Sequence, residues 1–493
     1  MTWRHADRAT GGPTLDEVLS ATATTLVDGS TTLDPATLAD HTARLAGALR
    51  SYGIERGDTV AWQSHNRWEA VVLYRACWRL GAVAAPIHHL ATPAEVERLL
   101  DALEPEAVVG PDDVAGLIAR GDPVDDPAAR PDDLAVVLHT SGSSGEPKGV
   151  LHTQAGLAAK ARLMTEVHAL GPHDRILMPA PLAHISGLQN AVTLPGAAGM
   201  TTVLMARWDP EVALELIERY GITFMIGPPT FFVSLRATPG FSPERVASIR
   251  LISCGGAGVT PAFVAETAEV FGATVKRTYG SSEAPTVTTS HAGDDPVRAA
   301  ATDGRPTGTV RLRVADDGEL LVRGPELFVG YTDPTRTAEA IAELDDGEWF
   351  RTGDVGRIDE AGWLTIVGRI KDVIIRGGEN IAAAEVEAVL EAHPAVLHAV
   401  AVGQPDERLG ERVCGFVQCA PGATFDLADA QAWFAERGVA RFKTPERIVV
   451  LDELPVLAAG KVDRAELRRR AAASGRGDHR AAAARGVGDD AVG

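Results

Sequence analysis

The sequence predicts an α/β chain: a large N-terminal domain of layered α/β subdomains with an added β module, then a small C-terminal α+β domain. Three observations carry this. From Asp34 to Lys276, helical stripes alternate with short apolar strands, the pattern of a covered and mostly parallel sheet. Between Arg311 and Val367 the texture changes to short alternating runs with turn signals at Asp317-Gly318 and Ala361-Gly362, as in hairpins. After Gly368 a fresh series of helices and strands begins. At 493 residues the chain exceeds what a single core usually serves, so more than one domain is required.

The elements follow in order. Asp34-Pro35 caps a helix whose Leu38, Leu45, Leu49 and Tyr52 share one stripe; Gly53 ends it before the strand Thr59-Val-Ala-Trp62. A second helix runs from Trp68 to Gly81, too short and too interrupted by Arg75 and Arg79 to span a bilayer, and Ala82-Val-Ala-Ala85 follows as a strand. The alternation recurs at Pro210 to Tyr220 with Thr223-Phe-Met-Ile226, and at Pro261 to Phe271 with Thr274-Val-Lys276. Past Gly368-Arg-Ile-Lys-Asp372 come Ala384 to Glu391, Ala399 to Val402, Val413 to Val417, Leu427 to Glu436 and Arg447 to Leu451. This organisation places the N-terminal domain over residues 1–370 and the C-terminal domain over 371–470. Residues 471–493, rich in Ala, Arg, Gly and Asp without apolar periodicity, are expected to form a disordered tail.

The stretch with the clearest chemistry is Leu138-His-Thr-Ser-Gly-Ser-Ser-Gly-Glu-Pro-Lys-Gly-Val150, laid after the apolar run Leu134 to Leu138. Gly142, Gly145 and Gly149 can aim consecutive N–H groups inward, Thr140, Ser141, Ser143 and Ser144 add hydroxyl donors, and Lys148 adds a positive charge. Together they suit an anion cradle. The Walker spacing is absent, because Lys148 lies between Pro147 and Gly149, so a P-loop NTPase is disfavoured.

A formal net charge of -20 argues against a nucleic-acid surface and against general adhesion to anionic membranes. The four cysteines, Cys77, Cys254, Cys414 and Cys419, lack paired metal spacing and read as reduced and buried. Met1-Thr-Trp-Arg-His lacks the apolar core of a secretory leader, so a cytoplasmic protein without a membrane span is expected.

Thr140-Ser-Gly-Ser-Ser-Gly-Glu-Pro-Lys-Gly149 resembles the signature of the adenylate-forming superfamily, which holds acyl- and aryl-CoA synthetases, peptide-synthetase adenylation domains and luciferases. The resemblance continues to about Arg464. It implies that Tyr279 of Tyr279-Gly-Ser-Ser-Glu283 stacks on adenine, that Ser282 keeps the hydroxyl usual before the glutamate, and that Glu283 ligates magnesium between the phosphates. It also implies that Asp354 of Trp349-Phe-Arg-Thr-Gly-Asp354 accepts the ribose hydroxyls and that Arg369 contacts the nucleotide. The small domain would swing about Lys371-Asp372 between a pose that makes the adenylate and a pose that uses it. In the first pose Lys461 would reach the carboxylate being activated. In the second, Gly377-Gly-Glu-Asn380 would line the pantetheine tunnel.

Two departures stand out: Val456-Leu457 and Ala459 replace the basic and hydroxyl residues usual before Gly-Lys, and Ala383 stands where proline is usual. The acyl pocket would draw on Pro181 to Gly187, including His184, on Gly227-Pro-Pro229, on Ser253 to Gly258 and on Tyr279-Gly280; Ala183 to Gly187 has no aspartate to pair an α-ammonium. The implied catalytic residues are therefore Lys461, Glu283, Thr140 and His184. Ser141, Gly142, Ser143, Ser144, Gly145, Lys148, Tyr279, Ser282, Asp354, Arg369, Gly377 and Gly378 would bind ATP or CoA, and Glu283 would hold Mg2+.

The expected activity is an ATP-dependent acid:CoA ligase acting on a small carboxylic acid, and a homo-oligomer is compatible with it. One rival keeps adenylation but uses a carrier-protein thiol, an amine or another small nucleophile; another is a nucleotide-binding regulator without turnover.

Overall fold

The computed structural model describes residues 11–141, 147–256, 258–456 and 462–483, with the backbone alone at 141, 147, 380 and 474–483. Two compact units emerge. The first comprises Met1–Arg313, Leu321–Thr352 and Ile358–Leu364, and the second Val314–Leu320, Gly353–Arg357 and Thr365–Gly493. The β module is thus divided between them. Inside the second unit Gly356 N–H donates to Gly318 O at 3.2 Å and Gly353 N–H to Glu319 Oε1 at 2.8 Å, which binds its two short inserts together.

In the first unit the helices begin and end where side-chain chemistry demands. Asp34 accepts Thr37 N–H at 2.7 Å and Pro35 occupies the first position of helix Pro35–Ser51. Its Leu38, Leu45 and Leu49 are buried, but Tyr52, assigned by periodicity to the same stripe, caps the helix and is 69% exposed. Helix Trp68–Leu80 stops at Gly81, whose φ of 72° a Cβ would resist. Helices Pro210–Tyr220 and Pro261–Phe271 are each capped by Asp209 or Thr260, open on proline and close on a left-handed glycine.

These helices cover two sheets. Among the described residues, one has nine strands in the order Arg305–Pro306, Thr288–Thr289, Thr274–Tyr279, Leu251–Gly255, Phe224–Gly227, Arg175–Met178, Thr201–Leu204, Thr25–Asp28, Thr31–Leu33. The strands from Thr274–Tyr279 to Thr25–Asp28 run parallel, as the alternation of helix and apolar strand requires. The other sheet orders Ala107–Val108, Thr59–Ser64, Val83–His88, Leu134–Ser141 and Pro147–Thr153. Its last pair is antiparallel, with Thr140 opposite Lys148 and His139 opposite Gly149. Leu138 to Val150 is therefore in large part a β-hairpin, because β-branched and apolar residues on both arms pair across it.

The second unit holds the sheet Glu379–Ala382, Val373–Arg376, Gly410–Cys419, Val396–Asp406, with Arg447–Val450 paired to Gly410–Cys419. Helices Ala383–Glu391 and Leu427–Glu436 bury Val386, Leu390, Ala430 and Phe434 among Ile374, Val413 and Val417. The helix Arg464–Ala483 continues well beyond Arg470, where regular structure was expected to end. Buried Leu467 and Ala471 anchor its first turns; farther on no apolar stripe continues, and Ser474, Gly475, Gly477 and Asp478 are poor helix formers among the alanines and arginines.

No helix of the described residues is long and apolar enough to cross a membrane. The cysteines are free thiols, and burial pushes Cys77 and Cys254 up to about 12.

Candidate active site

The carboxyl ends of four adjacent parallel strands define one edge of the nine-stranded sheet. Residues 179–187 leave Arg175–Met178, Gly227 ends its strand beside Cys254, and Gly255 lies opposite Thr278 just before Tyr279. Ligands bind at such edges because the loops there are free to diverge. All the acyl-side stretches expected from the sequence start here, apart from Ala257, which lies outside the described residues.

His184 caps the short helix Ile185–Leu188, and Gly187 is obligatory there, since a Cβ would lie 2.0 Å from Pro181 O. Buried Asn66, in the bend that follows the strand Thr59–Ser64 of the other sheet, holds this loop. Its Nδ2 donates to the carbonyls of Met178, Ala180 and Met205 at 3.3, 2.8 and 3.0 Å, and its Oδ1 accepts Leu182 N–H at 2.9 Å. The His184 ring lies 4.9 Å from that of His88, which stacks on His89 at 4.5 Å. Burial, with neighbouring imidazoles adding to it, pulls His88 and His89 down to about 4, so both are neutral at pH 7. Across the sheet edge Phe231 stacks on Trp208 at 4.3 Å, and Gly227 leaves room for that phenyl ring.

The phosphate side is built on the hairpin. Thr140 and Lys148 are register partners, which sends their side chains to one face. Gly149 is needed for a reason other than the phosphate-cradling turn expected of it. It sits in a strand beside Gly330-Tyr331-Thr332, and a Cβ would come within 2.7 Å of the Thr332 side chain. Gly142, Ser143, Ser144 and Gly145 lie outside the described residues, as does the side chain of Ser141.

This second pairing brings in Tyr331. Lys148 Nζ lies 5.1 Å from its ring centroid, and its hydroxyl donates to Glu283 Oε1 at 2.7 Å. Tyr331 is 5% exposed, and burial, reinforced by the Glu283 carboxylate, raises its phenol, which keeps it a donor. The sequence reading did not single it out. The available signal was the apolar run Leu327-Phe-Val-Gly-Tyr331, whose last residue carries a polar handle.

The turn that carries Glu283 is fixed from several directions. Ser281 N–H donates to Ala284 O at 3.0 Å, Val287 N–H to Tyr279 O at 2.8 Å, and Phe328 N–H to Glu283 O at 2.8 Å. His152, fully buried, meets Ser282 O through Nε2 at 2.7 Å; burial takes it to about 4, so the neutral ring donates there. Under the turn, buried Lys160 reaches Glu326 Oε1, Thr286 O and Thr307 Oγ1 at 2.9, 3.1 and 3.2 Å.

Glu283 offers hard oxygen donors of the kind magnesium prefers. No group of three or more His, Cys, Asp or Glu side chains placed for a metal occurs among the described residues.

In the second unit Asp354, 7% exposed, is paired with Arg369 Nε at 3.1 Å. Gly377 and Gly378, with φ of 60° and 91°, form a two-residue turn between Arg376 and its register partner Glu379. The twist of the hairpin alone demands positive φ at both, which glycine adopts without strain. Arg468 bonds Asp372 and donates to Lys371 O at 2.9 Å, tying the expected hinge to the helix Arg464–Ala483. Lys461 lies outside the described residues, between Val456 and Val462, which bridge each other.

Residues 18–332 match the AMP-binding enzyme family, and residues 385–461 match the AMP-binding enzyme C-terminal domain. The chain belongs to the AMP-binding enzyme family. It is 34% identical over 481 residues to the medium-chain fatty-acid–CoA ligase of Escherichia coli (strain K12), covering 87% of this chain and 84% of that one. It is also 34% identical over 477 residues to the indoleacetate–CoA ligase of Aromatoleum aromaticum, covering 88% and 92%. Its fold matches ATP-bound MatB from Rhodopseudomonas palustris with a TM-score of 0.86 at 27% identity, covering 93% and 99%. Within this family the chain is an ATP-dependent, AMP-forming acid:CoA ligase, and the readings with another acceptor or without turnover are not favoured.

Proposed function

We propose that this chain activates an apolar monocarboxylic acid as its acyl-AMP and passes the acyl group to CoA, with magnesium held at Glu283. The arrangement that carries the reading is Lys148 and Glu283, opposite charges set on either side of Tyr331 at a sheet edge. Magnesium bound there supplies charge compensation for the phosphates.

The chain's own residues supply the rest. Lys148 and the Thr140 hydroxyl hold phosphate oxygens, Tyr279 stacks on the adenine and Asp354 accepts the ribose hydroxyls. The acid lies against the aromatic and imidazole surfaces of Phe231, Trp208, His88 and His184, among which no lysine, arginine or carboxylate stands to pair a second charge on the substrate. Its carboxylate attacks the α-phosphorus, a bond forms to that phosphorus, and pyrophosphate leaves. We assign to Lys461 the positive charge that meets carboxylate and α-phosphate, whose repulsion such a charge relieves most in the transition state. The CoA thiolate then attacks the acyl carbon and AMP departs. Residues 1–370 act as the adenylating body and 371–470 as the part that moves between the two steps.

The relatives that act on a medium-chain fatty acid and on indoleacetate, by their names, support an apolar acyl group. A pyrophosphate-release screen over carboxylic acids, with products identified by mass spectrometry with and without CoA, tests this. Turnover with apolar acids and a thioester product are expected; preference for dicarboxylic acids, or acyl-AMP that persists in the presence of CoA, would overturn it.

A further inference from the structure

Lys148 and Glu283 face a problem that the rest of the site leaves open. An ammonium and a carboxylate near one another should pair, and a paired lysine and glutamate would each have to be pulled apart before phosphate and metal could bind. Among the described residues they form no ion pair with each other. Tyr331 stands between them. Its ring face takes the Lys148 ammonium at 5.1 Å, and its hydroxyl, at the ring's far edge, donates to Glu283 Oε1 at 2.7 Å.

We propose that Tyr331 is a positioning residue with two separable duties: its ring parks Lys148 for the phosphates, and its hydroxyl orients Glu283 for the metal. The proposal rests on the reading of Glu283 and Lys148 given above. The aromatic face attracts the ammonium without neutralising it, so the lysine keeps its charge for the nucleotide. The phenol donates to Oε1 alone, which leaves Oε2 and the second lone pair of Oε1 for a hard cation. Tyr331 is itself held rigidly: its backbone bridges Val150, its N–H donates to Thr337 Oγ1 at 2.9 Å, and its ring meets Phe328 at 5.0 Å. Phe328 N–H in turn binds Glu283 O at 2.8 Å, so the phenol and the carboxylate it orients share one backbone frame.

Calorimetry on the full chain separates the two duties, using ATP with magnesium and ATP in excess EDTA as probes. Tyr331→Phe keeps the ring and loses the hydroxyl. It should weaken MgATP binding roughly tenfold or more while changing metal-free ATP binding less than about threefold. Tyr331→Leu loses both, and metal-free ATP binding should fall as well. Tyr331→His, with a ring and an N–H, should recover part of the magnesium effect and covers the case in which phenylalanine is not accommodated. Glu283→Ala distinguishes the two levels of inference. If it leaves the difference between MgATP and ATP intact, the assignment of the metal to Glu283 fails. If it abolishes that difference while Tyr331→Phe retains it, the role given to Tyr331 fails and that of Glu283 stands. Equal weakening of both probes by Tyr331→Phe would also overturn the proposal.

Discussion

Replacing Lys160 by methionine should destabilise the first unit far more than any surface substitution. Lys160 is 1% exposed, and its three donors are spent on Glu326, Thr286 O and Thr307 Oγ1 at 2.9 to 3.2 Å. The Glu326 side chain is 3% exposed, and neither of its carboxylate oxygens has a hydrogen-bond partner, so the ion pair with Lys160 is what compensates its charge. Removing one partner of a buried pair leaves an uncompensated charge and costs about 3–5 kcal/mol, whereas replacing both by apolar groups of similar volume is close to neutral. Lys160→Met alone should therefore lower the unfolding free energy by that amount, and Lys160→Met with Glu326→Leu should restore most of it. Urea unfolding followed by tryptophan fluorescence measures both. A single variant within about 1 kcal/mol of the parent, or a double variant no better than the single, would refute the reasoning. A second readout follows from geometry: Thr286, held by Lys160, has a φ of 43° and closes the turn after Glu283, so the single variant should also lose pyrophosphate release under conditions where it remains folded.

Three further outcomes are expected. Gly227→Ala would place a Cβ 2.5 Å from Phe231 Cδ2, so the ring must move; the KM for the acid should rise roughly tenfold while the KM for ATP holds, as steady-state kinetics would show. Burial takes His152 to about 4 and His168 to about 3, below the usual histidine value, so the unfolded chain binds more protons than the folded one. Their contribution is full above about pH 6.5 and is lost as pH falls towards 4 and 3, and a denaturation midpoint that stays level across that window would contradict it. Lys461→Ala should suppress adenylate formation at least a hundredfold, on the order of a lost transition-state charge contact, yet spare thioester formation from supplied acyl-AMP; equal losses in the two half-reactions would argue against its role.

The element boundaries were legible wherever the local chemistry is self-contained. Helices Pro210–Tyr220 and Pro261–Phe271 match the sequence reading residue for residue, because an N-cap, a proline and a closing glycine punctuate each one. The loop chemistry singled out Thr140 and Lys148 and the resemblance singled out Tyr279 and Glu283; the structure pairs Thr140 with Lys148 in register and places Tyr331 against both Lys148 and Glu283, while Asp354 and Arg369 form an ion pair. Tyr331 was not, because its importance lies in a pairing with Val150 that no local pattern encodes. The same pairing explains why Gly149 belongs to a strand rather than to the turn. Gly377-Gly378 read equally as a turn and as a tunnel wall, and the positive φ values account for the turn. The division of the β module was invisible too, since hairpin texture says nothing of which neighbour a hairpin joins.

Asn66 shows how substrate range and architecture are separated in this chain. One amide, just past the strand Thr59–Ser64 of the smaller sheet, fastens the backbone on which His184 rides to the ends of two strands of the larger one, and every hydrogen bond it makes there is to a main-chain atom. The side chains around the acid can then be exchanged without disturbing the scaffold, because none of them carries a hydrogen bond of that stitch. An engineer seeking new acids should vary positions 183–186 and 230–231 and leave Asn66 untouched, for aspartate there would set a carboxylate against three carbonyl oxygens and push the loop open.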